Sequence, residues 1–208
     1  MLNSIKITDI TKTKKGLNAL FCENGFLFSV DDMLLAQEKI TTGSCFTGQE
    51  LSLLYEKSTT NKAVQKAYSL LSYRSHSKRE LYTKLCKNFD SQCAQAACDK
   101  MEELGFINDQ SYCEAKTEYL ILTKKCSLGE TRAKLLTLGI NKDIIESCIA
   151  LYDSETQADN LRTLIEKKYK SKLDNPQKVV AALMRKGFSY YEIKSALKEF
   201  EIETEDDF

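Results

Sequence analysis

A short apolar turn recurs three times along this chain, at Asn88-Phe89, Gly139-Ile140 and Gly187-Phe188, with a period of about 50 residues. Each pair joins a residue suited to left-handed backbone to an apolar one, the combination that closes a helix through a turn with a hydrophobic contact. Each is followed by a residue able to cap a new helix: Asp90, Asn141 or Ser189. Leu85, Leu136 and Met184 fall at the same place before each turn. Short helices cannot each hide an apolar stripe alone. The recurrence therefore predicts supersecondary units packed side by side.

The first unit shows the pattern in detail. Ser77-x-x-Glu80 has the form of a capping box, and Leu81 and Leu85 follow on one helix face. Asn88 can end that helix in the left-handed region. A second helix carries Ala94, Ala97, Cys98, Met101 and Leu104 at helical spacing and closes at Gly105, and Asn108 and Asp109 stand where another begins. Asp109 caps a long helix through about Lys125, followed by helices over 129–138 and 142–152. The third unit repeats the order over 155–172, 175–186 and 190–200.

The N-terminal part reads differently. Residues 4–13 alternate isoleucine with polar residues, the pattern of one half-buried strand. Strands over 17–23 and 26–30 flank an Asn24-Gly25 turn. Asp31-Asp32 can cap a helix over 33–39. Thr47 opens another short helix through Tyr55, with a separate helix over 61–74. The fold expected is mainly α: tandem three-helix repeats in an elongated array of ~75 Å, with a small N-terminal β-hairpin or meander extension. The divisions are an extension over 1–58, repeats over 59–108, 109–154 and 155–200, and a tail over 201–208.

Thirty Lys and Arg balance thirty Asp and Glu, but unevenly. The tail holds Glu201, Glu203, Glu205, Asp206 and Asp207 without a base, so the body is mildly basic. Such a body suits a nucleic acid or an acidic protein face, and suits an ordinary solvated surface equally well. The eight cysteines form no Cys-x-x-Cys pair and there is one histidine, so a zinc site is not expected. Most of the cysteines fall on helices as small buried thiols. No apolar run approaches the ~18 residues of a membrane span, and Met1-Leu2-Asn3 leads into an amphipathic stretch, so a cytoplasmic monomer without disulfides is expected.

Little here suits catalysis. His76, between Ser75 and Ser77, lacks a nucleophile motif and reads as a solvated or capping residue. There is no phosphate-cradling glycine loop. Glu102 and Glu103 point to different azimuths. No enzyme and no cofactor are expected. The informative polar residues are bases beside the short helices: Arg74, Lys78, Arg79, Lys84 and Lys87 at the first, and Lys124, Lys125, Arg132 and Lys134 at the second. Lys167, Lys168, Lys170, Lys172, Lys178, Arg185 and Lys186 surround the third. Their recurrence suggests a basic strip for phosphate contact, against the alternative that helix surfaces carry lysine anyway. Tyr68, Tyr73, Tyr82, Tyr112 and Tyr119 read as packing residues before base-stacking ones.

With these residues in view, the chain resembles the RecX family of regulators of the RecA recombinase. The resemblance rests on Ala67-Tyr68-x-Leu70-Leu71-Ser72-x-Arg74, Ser77-x-x-Glu80-Leu81-x-x-Lys84-Leu85 and Leu104-Gly105-Phe106-Ile107-Asn108-Asp109-x-x-Tyr112. Gly129-x-x-Arg132-x-x-x-Leu136-x-x-x-Gly139-Ile140 and Arg185-Lys186-Gly187-Phe188-Ser189 follow in order. It covers about residues 60–200, with the N-terminal strands like the β extension of longer members. Phe89 stands where a Lys-Gly pair is usual, Cys113 where Ala is common, and the second short helix lacks the Glu-Leu pair of the first. The resemblance implies a non-enzymatic regulator, an inhibitor or modulator. It would bind the groove of the RecA–DNA filament and tune homologous recombination, strand exchange and the SOS response. Contact residues expected on that basis are Arg74, Lys78, Arg79, Lys84, Arg132, Lys134, Arg185 and Lys186, with ssDNA or dsDNA as a further partner and no membrane. The alternative is a stand-alone DNA-binding helical repeat protein.

Overall fold

A computed structural model describes residues 4–200, in two compact units. The first holds the described residues up to Ser75 together with Leu81–Ile107; the second holds His76–Glu80 and the described residues from Asn108 onward. No helix of the described residues is long and apolar enough to cross a membrane.

In the first unit, β2 (Asp9–Lys12), β3 (Asn18–Cys22) and β4 (Gly25–Val30) form an antiparallel meander in sequence order. The single strand expected over 4–13 is two. β1 (Ser4–Lys6) pairs instead with β5 (Cys45–Thr47). The chain changes sheets at fully buried Ile7, whose N–H donates to the Ser44 carbonyl while Thr8 N–H donates to Phe21. Between them α1 (Asp32–Gln37) starts at Asp31, whose carboxylate accepts the Leu34 N–H at 2.7 Å.

The two helices expected over 47–55 and 61–74 are one, α2 (Gly48–Tyr73). Its start is a capping box between Thr47 and Glu50. Nothing between residues 55 and 61 breaks a helix, and each half buries a different face. Leu51 and Leu54 join Ile7, Leu20, Phe28 and Val30 in the core of the sheets. Ala63 and Ala67 pack with α3 (Lys78–Leu85) and α4 (Ser91–Glu103) through Leu81, Leu85, Ala94, Ala97 and Met101. The hydroxyls that could have ended it are used elsewhere: Ser58 donates to the Ser29 carbonyl at 2.6 Å and Thr59 to Tyr55.

The second unit contains two helix triplets, each with its own core. The first is α5 (Asp109–Glu118) with a π-helical turn at Tyr119–Thr123, α6 (Leu128–Thr137) and α7 (Lys142–Ile149), around Cys113, Leu120, Leu135 and Ile145. The second is α8 (Ser154–Leu164) with a π-helical turn at Ile165–Tyr169, α9 (Pro176–Arg185) and α10 (Tyr190–Glu199), around Leu161, Ile165, Leu183 and Ile193. Asn160 of α8, fully buried, donates to the Ile121 carbonyl inside the first π turn at 2.9 Å. The cap of α5 is Asn108, which accepts the Ser111 N–H, and not Asp109. Asp109 accepts the Lys78 N–H at 2.8 Å and so caps α3.

The glycine turns behave as the spacing requires in these two triplets only. Gly139 and Gly187 have φ of +74° and +85°. Ile140 N–H donates to Leu135 and Phe188 N–H to Leu183, the wider closure of a Schellman turn. In the first repeat the turn is one residue shorter: Phe89 N–H donates to Leu85, and Asn88 does not take the left-handed conformation. That missing residue also corrects the register of the leucines. The equivalent buried positions are Leu85, Leu135 and Leu183, and Leu136 and Met184 are half exposed.

Each glycine turn sits against the start of the preceding short helix. Ser77 Oγ accepts the Glu80 N–H and donates to the Leu138 carbonyl at 2.5 Å. Ser127 Oγ accepts the Glu130 N–H and donates to the Lys186 carbonyl at the same distance. One hydroxyl thus caps its own helix and holds the next turn. Ser127→Ala removes both bonds and takes the partner from the part-buried Lys186 carbonyl, so a loss of about 2 kcal/mol is expected from urea unfolding. A loss no greater than that of an ordinary exposed cap would show that the second bond contributes nothing.

Candidate polyanion-binding cleft

The expected basic strip divides into cations that are used internally and cations that gather. Arg132 is of the first kind. Its Nε and Nη2 hold both oxygens of Glu146, at 2.7 and 2.8 Å. The pair raises the arginine's pKa and lowers that of Glu146. It links α6 to α7 and is not a free charge. Arg79 is packed against the turn at Gly139, where a Cβ would collide with its Cβ and Cγ. Arg74 donates to the Ser75 carbonyl and Arg185 to that of Ala181, both at the surface. Lys78 and Lys84 are half-buried on α3.

Lys134 and Lys186 are of the second kind. They enter one cleft of about 460 Å³ within the second unit, joined there by Lys116, Lys124, Lys125 and Lys168. One carboxylate, Glu130, faces these six lysines; it lies 2.8 Å from Lys134 and 3.8 Å from Lys186. Burial pulls the Lys134 pKa down, but Glu130 and the Cys126 sulfur 3.2 Å away outweigh it, and the ammonium is held above its ordinary value. Among the described residues, Lys116, Lys124, Lys125 and Lys168 form no salt bridge.

Both π turns build this cleft. The first supplies Tyr119 and Leu120, the second Lys168, with Leu164 just before it. An inserted residue rotates everything after it by about 100° around the helix, which brings Lys124 to the side of Lys116, and Lys125 follows past the helix end at a φ of +56°. Sequence periodicity does not register such a turn, and Lys116 was not among the residues it singled out. The ammoniums of Lys116 and Lys124 each lie 5.4 Å from the Tyr119 ring centroid. The ring is thus occupied by cations, and the floor beside it is Leu120, Leu138 and Leu164. Charge is what this surface offers to a ligand.

Burial, and then the neighbouring Cys148, push the Cys113 thiol up to about 12, so it stays protonated at neutral pH. Six of the eight cysteines are buried, Cys45 and Cys86 being exposed. His76 is buried and not solvated, because the turn it occupies is tied down by the Ser77 and Lys78 bonds that follow it.

Comparison with known proteins agrees with this architecture. Residues 155–197 match the model of the RecX third three-helix domain. The chain is 26% identical over 204 residues to the regulatory protein RecX of Listeria monocytogenes serotype 4a, covering 94% of this chain and 76% of that protein. It is 25% identical over 198 residues to that of Clostridioides difficile, covering 92% and 93%. A crystal structure of a regulatory protein RecX superposes with a TM-score of 0.72 at 22% identity, covering 94% of this chain and 99% of that one. RecX from Lactobacillus salivarius gives 0.59 at 25% identity, covering 70% of this chain and 98% of the other.

Proposed function

We propose that this chain is a regulator of the RecX kind, as the relatives it resembles are named, and not an enzyme, and that it binds the RecA recombinase filament on DNA. Binding there would tune strand exchange, homologous recombination and the SOS response. The observation that supports a charged, extended target is the cleft: six lysines and one glutamate around an apolar floor. Among the described residues Lys116, Lys124, Lys125 and Lys168 form no salt bridge there, with Lys134 and Lys186 held by Glu130. Arg74, Lys78, Arg79, Lys84 and Arg185 are further candidate contacts, each within its own unit, and Arg132 acts through its pairing with Glu146 by holding α6 in place.

Co-sedimentation with assembled recombinase filaments tests this. The full chain is expected in the pellet with DNA-bound filaments and in the supernatant without them. A chain that stays in the supernatant in both cases removes the reading. A stand-alone DNA-binding protein would be indicated by equal, salt-sensitive retention on DNA lacking recombinase.

A further inference from the structure

We propose that the lysine cleft is a pre-formed site for a compact oligophosphate, held through its phosphate chain, whether inorganic tripolyphosphate or the triphosphate of a nucleotide. The inference goes beyond filament contact and rests on the cleft alone, so it stands or falls without recombinase. The main chain around the lysines is specially held. The first π turn runs into Lys124, whose N–H donates to the Tyr119 carbonyl at 3.0 Å. Lys125 follows at φ of +56°, one of two non-glycine residues with positive φ among the described residues. That conformation is disfavoured for any residue with a Cβ and persists only where the surroundings impose it. Asn160 of α8, fully buried, supplies the constraint. Its Nδ2 donates to the Ile121 carbonyl at 2.9 Å and reaches the Cys126 carbonyl at 3.5 Å. One buried amide thus ties down the chain on both sides of Lys124 and Lys125, and fixes where their ammoniums can go.

The lining selects the ligand. A volume of about 460 Å³ lies in the range of small-ligand sites. The cations are all lysines, and no arginine lines the cleft among the described residues. The planar fork that grips a carboxylate by two parallel bonds is therefore missing, whereas ammonium point charges suit the oxygens of a flexible phosphate chain. Six lysines against one glutamate leave a net charge of +5, which a chain of three phosphates balances and a single sulfate does not. Glu130 holds Lys134 and Lys186, and Tyr119 holds Lys116 and Lys124, so four of the six ammoniums are ordered before a ligand arrives. Less side-chain freedom is then lost on binding. Because the Tyr119 ring already carries two cations, it offers no platform for a base, and the phosphate chain is what the site reads. The apolar floor of Leu120, Leu138 and Leu164 strengthens each attraction by lowering the local dielectric.

The test is calorimetric titration of the full chain with sodium tripolyphosphate, sodium sulfate and ATP, in magnesium-free buffer at equal ionic strength. The expected result is one tripolyphosphate per chain, bound at least 20-fold more tightly than sulfate, with ATP within fivefold of the bare chain. Tripolyphosphate no tighter than sulfate, several weak equivalents per chain, or a nucleotide preference above fivefold would each overturn the proposal. Acylation mapped by mass spectrometry places the site in the unaltered protein. Tripolyphosphate should protect Lys124, Lys125 and Lys168 at least fivefold and leave Lys14 and Lys66 of the first unit unchanged; uniform protection would overturn it. Lys124→Gln with Lys168→Gln should weaken binding at least tenfold, and Lys14→Gln with Lys66→Gln, an equal loss of charge, less than twofold. Equal losses would show attraction to net charge and no site. Asn160 is a positioning residue, so Asn160→Ser should shrink the ratio of tripolyphosphate to sulfate affinity. A role in stability alone would lower the urea midpoint and leave that ratio unchanged, which would overturn the assignment of Asn160.

Discussion

Gly139→Ala and Gly187→Ala are each expected to lower the stability of the folded chain by about 3 kcal/mol, read from urea midpoints at unchanged slope. Two causes add. The first is the backbone: at φ of +74° and +85° an alanine costs about 1–2 kcal/mol relative to glycine. The second is space. A Cβ on Gly187 would lie 2.8 Å from Ser127 Oγ and 3.1 Å from the Glu130 nitrogen, where the obstacle is the start of α6 itself. A Cβ on Gly139 would overlap Arg79 at its Cβ and Cγ, the stiff base of that side chain and not its free end. The molecule holds its own control. Gly105 has φ of +76° with nothing within 4 Å, so Gly105→Ala should lose only the backbone part, about 1 kcal/mol. Gly139→Ala should be partly rescued by Arg79→Gly, whereas no side-chain truncation can relieve the main-chain contact at residue 187. Equal losses at 105, 139 and 187 would show that the close approach of turn and helix does not matter.

Those two turns were also the clearest signal in the sequence, because their chemistry is local. A glycine followed by an apolar residue and a cap announces a helix end wherever it occurs, and the distance between such ends sets the repeat. What depended on partners distant in sequence was less legible. Asn88 had the right type for the same turn, but the first repeat has one residue fewer there, and a left-handed residue is not needed. A helix through Tyr55 and another over 61–74 were expected, yet the sheets on one side and α4 on the other give α2 a reason to continue. Asp109 had the look of a cap for its own helix and serves another, 31 residues away. In the cleft the limit is the same. Lysines recurring beside short helices were visible, but whether each is spent on a neighbour or left to a ligand depends on pairings such as Arg132 with Glu146. The π turns decide which lysines meet, and their inserted residue has no mark in hydrophobic periodicity.

Lys124→Glu with Lys168→Glu is expected to weaken association with DNA-bound recombinase filaments by about 100-fold at 0.1 M salt. In water each lost attraction at contact distance contributes about 1 kcal/mol, and each reversed charge adds a repulsion of similar size. Four such contributions, reduced by screening, leave about 3 kcal/mol, which corresponds to that factor. If the contacts are to phosphates, the salt dependence should flatten too, by about 0.7–0.9 in the log–log slope for each lysine lost. If they are to an acidic protein face, affinity should fall with little change attributable to released counterions, so the slope separates the two kinds of target. The folded chain should tolerate the change. Neither lysine makes a salt bridge among the described residues, and replacing two members of a cationic cluster relieves repulsion within it. Arg132→Glu should behave oppositely, because it removes the bidentate hold on Glu146 and sets two carboxylates against each other between α6 and α7. Its unfolding midpoint should fall, and its filament binding should recover when Glu146→Arg restores the pair with reversed polarity. A double cleft variant that binds filaments as tightly as the parent chain, while Arg132→Glu abolishes binding even with the pair restored, would move the contact surface from the cleft to the outer face of α6.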